Sequence, residues 1–124
     1  MAHTIVHFEI PGDDVPRLQE FYRGLFGWQI APAGMPGVDY WLITTVGEGE
    51  QGVNGGMMVR QQPGQPITIY ISVESVNESS ARAAALGGTI LHPPAPIPGV
   101  GHFAFIQDPQ GNVFGLFQDD PQAQ

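Results

Sequence analysis

The stretch VHFEI at residues 6–10 recurs in a weaker form as ITIYI at residues 67–71. Both stretches alternate between two kinds of side chain, as β-strands do when one face is buried. Each is followed by a helical pattern that ends at a glycine, Gly27 in the first copy and Gly87 in the second. Because a single strand–helix–strands unit cannot bury its apolar face alone, we expect the two copies to form one body.

The two copies differ in the side chains on one face of the repeated strand. His7 and Glu9 point to the same side of the first strand, and their counterparts are Thr68 and Tyr70. An imidazole beside a carboxylate is typical of a general base with its orienting partner, so His7 and Glu9 are the candidate catalytic residues. The same pair also fits a histidine that only hydrogen-bonds inside a polar cavity.

Composition argues against several classes of function. The chain has 124 residues, which suits one domain, and a net charge of −8, which disfavours binding to nucleic acid. It contains neither cysteine nor lysine, so thiol and Schiff-base chemistry are excluded. No signal-peptide pattern is visible, and the apolar run at residues 67–73 is too short to span a bilayer. We therefore expect a cytoplasmic protein with no membrane partner.

The pattern divides this single domain into a first module, a linker, a second module and a flexible acidic tail. Their boundaries are about residues 4–60, 61–66, 67–118 and 119–124.

Capping residues mark the start of each helix. Asp13 or Asp14 is expected to cap the first helix, and Ser75 and Glu78 form a capping box for the second. The proline-rich residues 92–101 are expected to form a stiff loop before a final hairpin.

Three motifs spread along the chain resemble one family. They are His7 with the FYRGLFG segment of residues 21–27, the LGG helix end of residues 86–88, and DPQGNVFGL at residues 108–116. In this order they resemble the vicinal oxygen chelate superfamily of glyoxalases, bleomycin resistance proteins and extradiol dioxygenases. The resemblance implies an α+β fold of paired βαβββ modules, whose eight strands form an open cup with the ligand on its concave face. It also implies a homodimer.

The resemblance further implies four metal-ligand positions, on the first and last strands of each module. His7 matches the first position, whereas Thr68 occupies the corresponding position of the second copy. The last-strand positions fall near Gly55 or Gly56 and at Gly115. Because a divalent transition metal normally needs at least three protein ligands, we predict neither a metal site nor a cofactor.

Two questions about the residues at these four positions stay open. A divalent metal could still be held in a rearranged site of His7 and Glu9 completed by His102. The glycines are expected to leave volume on the ligand face, unless neighbouring side chains fill it.

The candidate ligand-binding residues combine aromatic, thioether and polar side chains. They are Trp41, Met57, Thr68, Tyr70, His102 and Phe117. Such a lining suits a small, flat, apolar or aromatic molecule. The leading hypothesis is therefore a metal-independent protein of the glyoxalase or bleomycin-resistance type that binds such a molecule. The alternatives are a metal-dependent or His7-based lyase, isomerase or dioxygenase, and a structural paralogue without a ligand; whether the chain is an enzyme stays open.

Overall fold

A computed structural model describes residues 3–124, which form eight strands and two helices. The elements are β1 (Ile5–Gly12), α1 (Val15–Phe26), β2 (Gln29–Pro32), β3 (Tyr40–Thr44), β4 (Gly55–Val59), β5 (Thr68–Ser72), α2 (Val76–Ala85), β6 (Thr89–Ile97), β7 (Gly101–Gln107) and β8 (Val113–Asp119). Two compact units divide them: residues 7–67, here the first module, and residues 3–6 with 68–124, the second module. The order βαβββ, repeated twice, confirms the predicted α+β fold class.

The first module is a four-stranded sheet in the order β2-β3-β4-β1. β3 pairs antiparallel with both β2 and β4, whereas β4 and β1 are parallel. Ile10, Ile43 and Met57 are buried on one face of this sheet together with Val15 of α1. This helix-facing side is the core of the module.

Both helices begin and end where the sequence predicts. Asp14 caps α1 by accepting a hydrogen bond from the backbone nitrogen of Arg17 at 3.2 Å. The helix ends at Gly27, which has the left-handed φ of 72° that glycine adopts without strain. Ser75 caps α2 through the backbone nitrogen of Glu78 at 3.1 Å. Neither of these helices, which are the two within residues 3–124, is long and apolar enough to cross a membrane.

The second module is a four-stranded sheet in the order β5-β8-β7-β6. β5 and β8 are parallel, and the other two pairs are antiparallel. Val73, Ile106 and Leu116 are buried against Val76 of α2. The side of the sheet that carries these residues therefore faces the helix.

The proline-rich segment differs from the sequence prediction, because β6 continues as a strand through Ile97 rather than ending in a loop. It pairs with β7 with register shifts between Ile90 and His92 and between His92 and Ala95. β6 has a neighbour on one side only in this module's strand order. Proline, which lacks a backbone donor, is tolerated in such edge positions and at bulges.

The acidic tail is packed against its own module instead of extending freely. Asp120 donates its backbone hydrogen to the carbonyl of Val100 at 3.0 Å, and Gly99 donates to the carbonyl of Ala123 at 2.9 Å. Ala123 is buried. We expected residues 119–124 to be flexible, and the structure instead shows them hydrogen-bonded to the turn between β6 and β7.

Arg60 anchors the linker that follows β4. Its Nε lies 3.2 Å from Oδ1 of Asp13, and its Nη2 donates to the carbonyl of Pro11 at 3.4 Å. Nη1 donates to the carbonyl of Gln65, within the predicted linker at residues 61–66. One arginine therefore ties the end of β1 to the end of the first module.

Candidate functional site

A tyrosine that the sequence did not single out joins the two candidate catalytic residues. The Tyr40 hydroxyl donates to Oε2 of Glu9 at 3.0 Å and lies 2.7 Å from Nε2 of His7. The His7 and Tyr40 rings are nearly parallel, with 18° between their planes. His7, Tyr40 and Glu9 thus form one hydrogen-bonded cluster, which we call the polar triad.

The strand register of the first module explains this geometry. His7 and Glu9 lie on alternate positions of β1, on the face opposite Ile10 and the helix-side core. Glu9 pairs with Gly56 of β4, and Met58 two residues later pairs with Tyr40 of β3. The Tyr40 side chain lies over Gly56, and this places its hydroxyl between His7 and Glu9.

Burial changes the proton affinities of the triad. It lowers the pKa of His7, because the charged imidazolium loses hydration. The pKa of Tyr40 is raised, first by burial and then by the negative charge and the hydrogen bond of Glu9. At neutral pH His7 is therefore neutral, and Tyr40 keeps its proton.

The expectation that glycines leave open volume on β4 is corrected. A Cβ at Gly56 would collide with the ring and hydroxyl of Tyr40. A Cβ at Gly55, which lies on the opposite face, would collide with the backbone oxygen and ring of Phe8. Atoms of Phe8 and Tyr40 therefore occupy the space that a Cβ would need at these two glycines.

Two predicted ligand-binding residues lie in the helix-side core instead. Met57 is completely buried with Ile10 and Val15, and Trp41 packs against the same cluster. Trp41 and Met57 are direct partners across β3 and β4, so strand alternation puts both on the face away from the triad. Met58 lies on the triad's face in place of Met57. The sequence offered no way to choose between these adjacent methionines.

Thr68, Tyr70 and Phe117 lie in the second module, on the face away from α2. Thr68 and Tyr70 are buried, and Tyr70 pairs with Gly115 of β8. A Cβ at Gly115 would collide with the Tyr70 ring, which repeats the relation of Tyr40 to Gly56. Phe117 follows two residues after Gly115 and is half-buried on the same face.

This face of the second module carries a row of rings, of which Tyr70 alone was predicted from the sequence to bind a ligand. The Tyr70 and Phe105 ring centroids lie 5.7 Å apart, and the same distance separates Phe105 from Phe103. His92 stacks on Phe103 at 4.9 Å and is exposed to solvent. We call Tyr70, Phe103, Phe105 and His92 the aromatic row. Strand alternation in β7 could have predicted that Phe103 and Phe105 share a face. The place of His92 beside them could not be predicted, because the sequence did not indicate that β6 continues past residue 91.

His102 does not share this face. It pairs with Gln118 across β7 and β8, and the Gln118 side chain accepts a hydrogen bond from the backbone of Val76 in α2 at 3.0 Å. His102 therefore lies on the helix side, where its Nε2 is 3.1 Å from Oδ2 of Asp120. That contact lowers the pKa of Asp120. The prediction of His102 as a ligand-binding residue is corrected by this placement.

The donor set does not fit a transition-metal centre of the usual kind. Within residues 3–124 no group of three or more histidine, aspartate or glutamate side chains is arranged to hold a metal ion. His7 and Glu9 are two donors, and the protonated Tyr40 hydroxyl lies between them where a third ligand would be required. His102 lies beside Asp120, and this position does not support His102 as a further metal ligand with His7 and Glu9.

Comparison with known sequences extends this description. The sequence model of the Glyoxalase/Bleomycin resistance protein/Dioxygenase superfamily matches residues 4–116. CFP32 of Mycobacterium bovis, which carries a glyoxylase name, is 31% identical over 121 residues, or 96% of this chain and 45% of CFP32. The anthracycline biosynthesis protein DnrV of Streptomyces peucetius is 25% identical over 124 residues, covering 90% of this chain and 45% of DnrV. The chain therefore spans less than half the length of these curated relatives.

Solved structures share the fold. Methylmalonyl-CoA epimerase from Mycobacterium tuberculosis matches with a TM-score of 0.71 and 15% identity, over 94% of this chain and 88% of the epimerase. At this identity the match concerns the fold alone. The family model, which matches residues 4–116, shows that the chain belongs to the glyoxalase/bleomycin resistance protein/dioxygenase superfamily.

Proposed function

We propose that this chain is a metal-independent member of its superfamily that binds a small, flat or aromatic molecule. The observation that carries the proposal is the polar triad, in which the Tyr40 hydroxyl is hydrogen-bonded to both His7 and Glu9. The triad supplies polar contacts that are already positioned by the protein. Taken by itself, the aromatic row of the second module also favours a flat, apolar molecule.

The preference for metal independence follows from ligand chemistry. A transition metal would have to displace Tyr40 from between His7 and Glu9, and it would still lack a third anionic or imidazole donor there. Displacement would also break two hydrogen bonds of a partly buried hydroxyl, at a cost of about 1–3 kcal/mol. The missing third donor and the lost hydrogen bonds both favour the metal-free triad over a triad that has bound a metal.

The preference for a flat ligand rests on the second module. Tyr70, Phe103, Phe105 and His92 present ring faces and edges in one row. Aromatic pairs contribute about 0.5–1.5 kcal/mol beyond the area that they bury. DnrV is named for anthracycline biosynthesis, and anthracyclines are flat fused-ring compounds, which is the ligand class proposed here.

A second candidate function is acid–base catalysis by His7, as in a lyase or isomerase. The specific observation in its favour is the lowered pKa of His7, which leaves the imidazole neutral and able to accept a proton at neutral pH. If this function holds, His7→Gln abolishes turnover and leaves ligand affinity roughly unchanged.

Thermal unfolding with planar aromatic probes tests the binding proposal. We would titrate hydroxyanthraquinone and 1-naphthol and follow the unfolding temperature. A ligand present at 100 times its Kd adds about 2.7 kcal/mol to the free energy of unfolding. Phe105→Ala should weaken binding about tenfold, equivalent to about 1.4 kcal/mol. Leu86→Ala is the control, because Leu86 of the same module is 69% exposed and lies at the end of α2. No stabilisation by any planar probe would contradict the proposal.

Self-association is the other part of the proposal. The outer surface of α1 exposes Phe21, Leu25 and Phe26, each by more than half of its surface. Apolar clusters of this kind on a surface mark interaction sites, which favours a homodimer. Light scattering during size exclusion would test it, and a monomer at high micromolar concentration would contradict it. The cytoplasmic location stays a prediction that fractionation of cells producing the chain would check.

A further inference from the structure

We propose that His92 recognises a hydroxyl group on a flat ligand that lies on the aromatic row. This inference rests on the proposed function, and it narrows the ligand class to hydroxylated aromatic molecules such as phenols and naphthols. His92 is the solvent-exposed member of the row, whereas Phe103 and Phe105 are half-buried and Tyr70 is buried. A molecule on the row therefore meets His92 at the end that is open to solvent.

Three contacts within the second module hold the His92 ring in one orientation. Its Nδ1 lies 2.8 Å from the backbone oxygen of Pro93. The ring stacks on Phe103 with 24° between the ring planes, and it stands at 89° to the ring of Phe105, with the centroids 6.2 Å apart. These contacts limit the rotation of an exposed side chain, so less rotational freedom is lost when a ligand binds.

The hydrogen bond to Pro93 determines which nitrogen of neutral His92 carries the proton. A carbonyl oxygen only accepts hydrogen bonds, so Nδ1 is the donor. The lone pair of the neutral ring then lies on Nε2. Nε2 is on the side of the ring away from Cβ, and within residues 3–124 the ring hydrogen bond of His92 is made by Nδ1. His92 therefore offers an acceptor nitrogen on an exposed side chain.

The backbone that follows His92 has the same polarity. Pro93, Pro94 and Pro96 carry no backbone N–H group, so this stretch of β6 is rich in hydrogen-bond acceptors and poor in donors. A ketone, carboxylate or phosphate on a ligand would find few donors there. An O–H group, in contrast, finds an acceptor in Nε2 of His92.

An aromatic hydroxyl satisfies both the rings and the acceptor. Its oxygen lies in the plane of the aromatic ring, at the rim of the molecule, so the hydroxyl leaves the ring faces free to contact Phe103 and Phe105. An aliphatic alcohol would lose the ring contacts, and an unsubstituted aromatic molecule would lose the hydrogen bond. The hydroxyl group therefore distinguishes one flat ligand from another at this end of the row.

Titration of the full chain with two probes of nearly equal shape tests the inference. 1-Naphthol carries a hydroxyl group, and 1-fluoronaphthalene has fluorine at the same position and no proton to donate. His92→Phe keeps an aromatic ring and removes the acceptor nitrogen. We expect this variant to bind 1-naphthol about fivefold more weakly than the wild type does, and 1-fluoronaphthalene within about twofold. Leu86→Phe is the control, because it adds a ring at another exposed position of this module and should leave both affinities unchanged.

The two probes separate a failed inference from a failed function. If His92→Phe weakens both probes equally, or neither, His92 does not recognise the hydroxyl group and the inference is overturned, whereas binding of 1-fluoronaphthalene by the wild type still supports a site for flat molecules. If the wild type binds neither probe, the proposed function fails and the role of His92 fails with it.

Discussion

Tyr40 occupies the space that any side chain at position 56 would need. A Cβ built on Gly56 would fall within the hydroxyl and ring of Tyr40, so the glycine is what admits the tyrosine to the triad. The same relation joins Tyr70 to Gly115 in the second module. In both modules a glycine of the last strand lies beneath a tyrosine ring.

Gly56→Ala should destabilise the protein. The added methyl group collides with Tyr40, and overpacking of this kind costs about 1–3 kcal/mol. Denaturant unfolding measures the difference. Gly24→Ala is the control, because a Cβ there meets nothing within 4 Å and Gly24 lies inside α1. That change should stabilise the protein by about 0.5–1 kcal/mol. Equal stability of the two variants would mean that Tyr40 does not fill the space over Gly56.

Gly115→Ala should be similarly costly, for an independent reason in the other module. Its methyl group would meet the buried ring of Tyr70, which has little freedom to move. We expect a loss of about 1–3 kcal/mol in the free energy of unfolding. The double variant Gly115→Ala with Tyr70→Ala should lose less than the sum of the two single variants. Additive losses would show that the two residues do not contact each other.

Tyr40→Phe should lower stability by about 1–2 kcal/mol. The change removes one hydroxyl and with it the hydrogen bonds to His7 and Glu9. Chemical unfolding with Tyr22→Phe as the matched variant provides the measurement. Tyr22 stacks on Trp28 at 5.2 Å through its ring, so loss of its hydroxyl should change little. If Tyr40→Phe left the free energy of unfolding unchanged, the triad would not be a stabilising cluster.

Stability should fall as the pH drops below about 6.5, and His7 should account for part of the loss. The lowered pKa of His7 means that the unfolded chain takes up a proton there more readily than the folded chain does. Because the unfolded state then binds more protons, acid favours unfolding, and the contribution is regained above this pH. His7→Gln should flatten the pH profile of the free energy of unfolding. His3→Gln, at an exposed histidine, controls for removal of an imidazole; identical profiles for the two variants would contradict the prediction.

Local sequence signals predicted the elements of this fold well. Asp14 and Gly27 bound α1 because capping and left-handed glycine are properties of a few adjacent residues. The alternation around His7 and Glu9 likewise predicted their shared face. The proline-rich β6 escaped prediction, since tolerance of proline depends on its position at the edge of a sheet, which is a property of the fold.

The triad itself could not be predicted from local patterns. Tyr40 lies 33 residues from His7, and their contact depends on the register of three strands and on the missing side chain at Gly56. The choice between Met57 and Met58 depends on the same register, because a shift of one residue exchanges the two faces of a strand. Residue types therefore indicated which chemistry is available. Which side chains contact each other depends on the pairing of the strands, which the sequence did not predict.

Isothermal titration of the metal-free protein tests the central claim most directly. Purified protein would be treated with a chelator, dialysed, and titrated separately with Zn²⁺, Ni²⁺ and Mn²⁺, with His7→Ala alongside. The account predicts no stoichiometric binding by either protein, because Tyr40 links His7 to Glu9 where a metal would need its ligands. Binding of one ion per chain by the wild type, lost in His7→Ala, would contradict it.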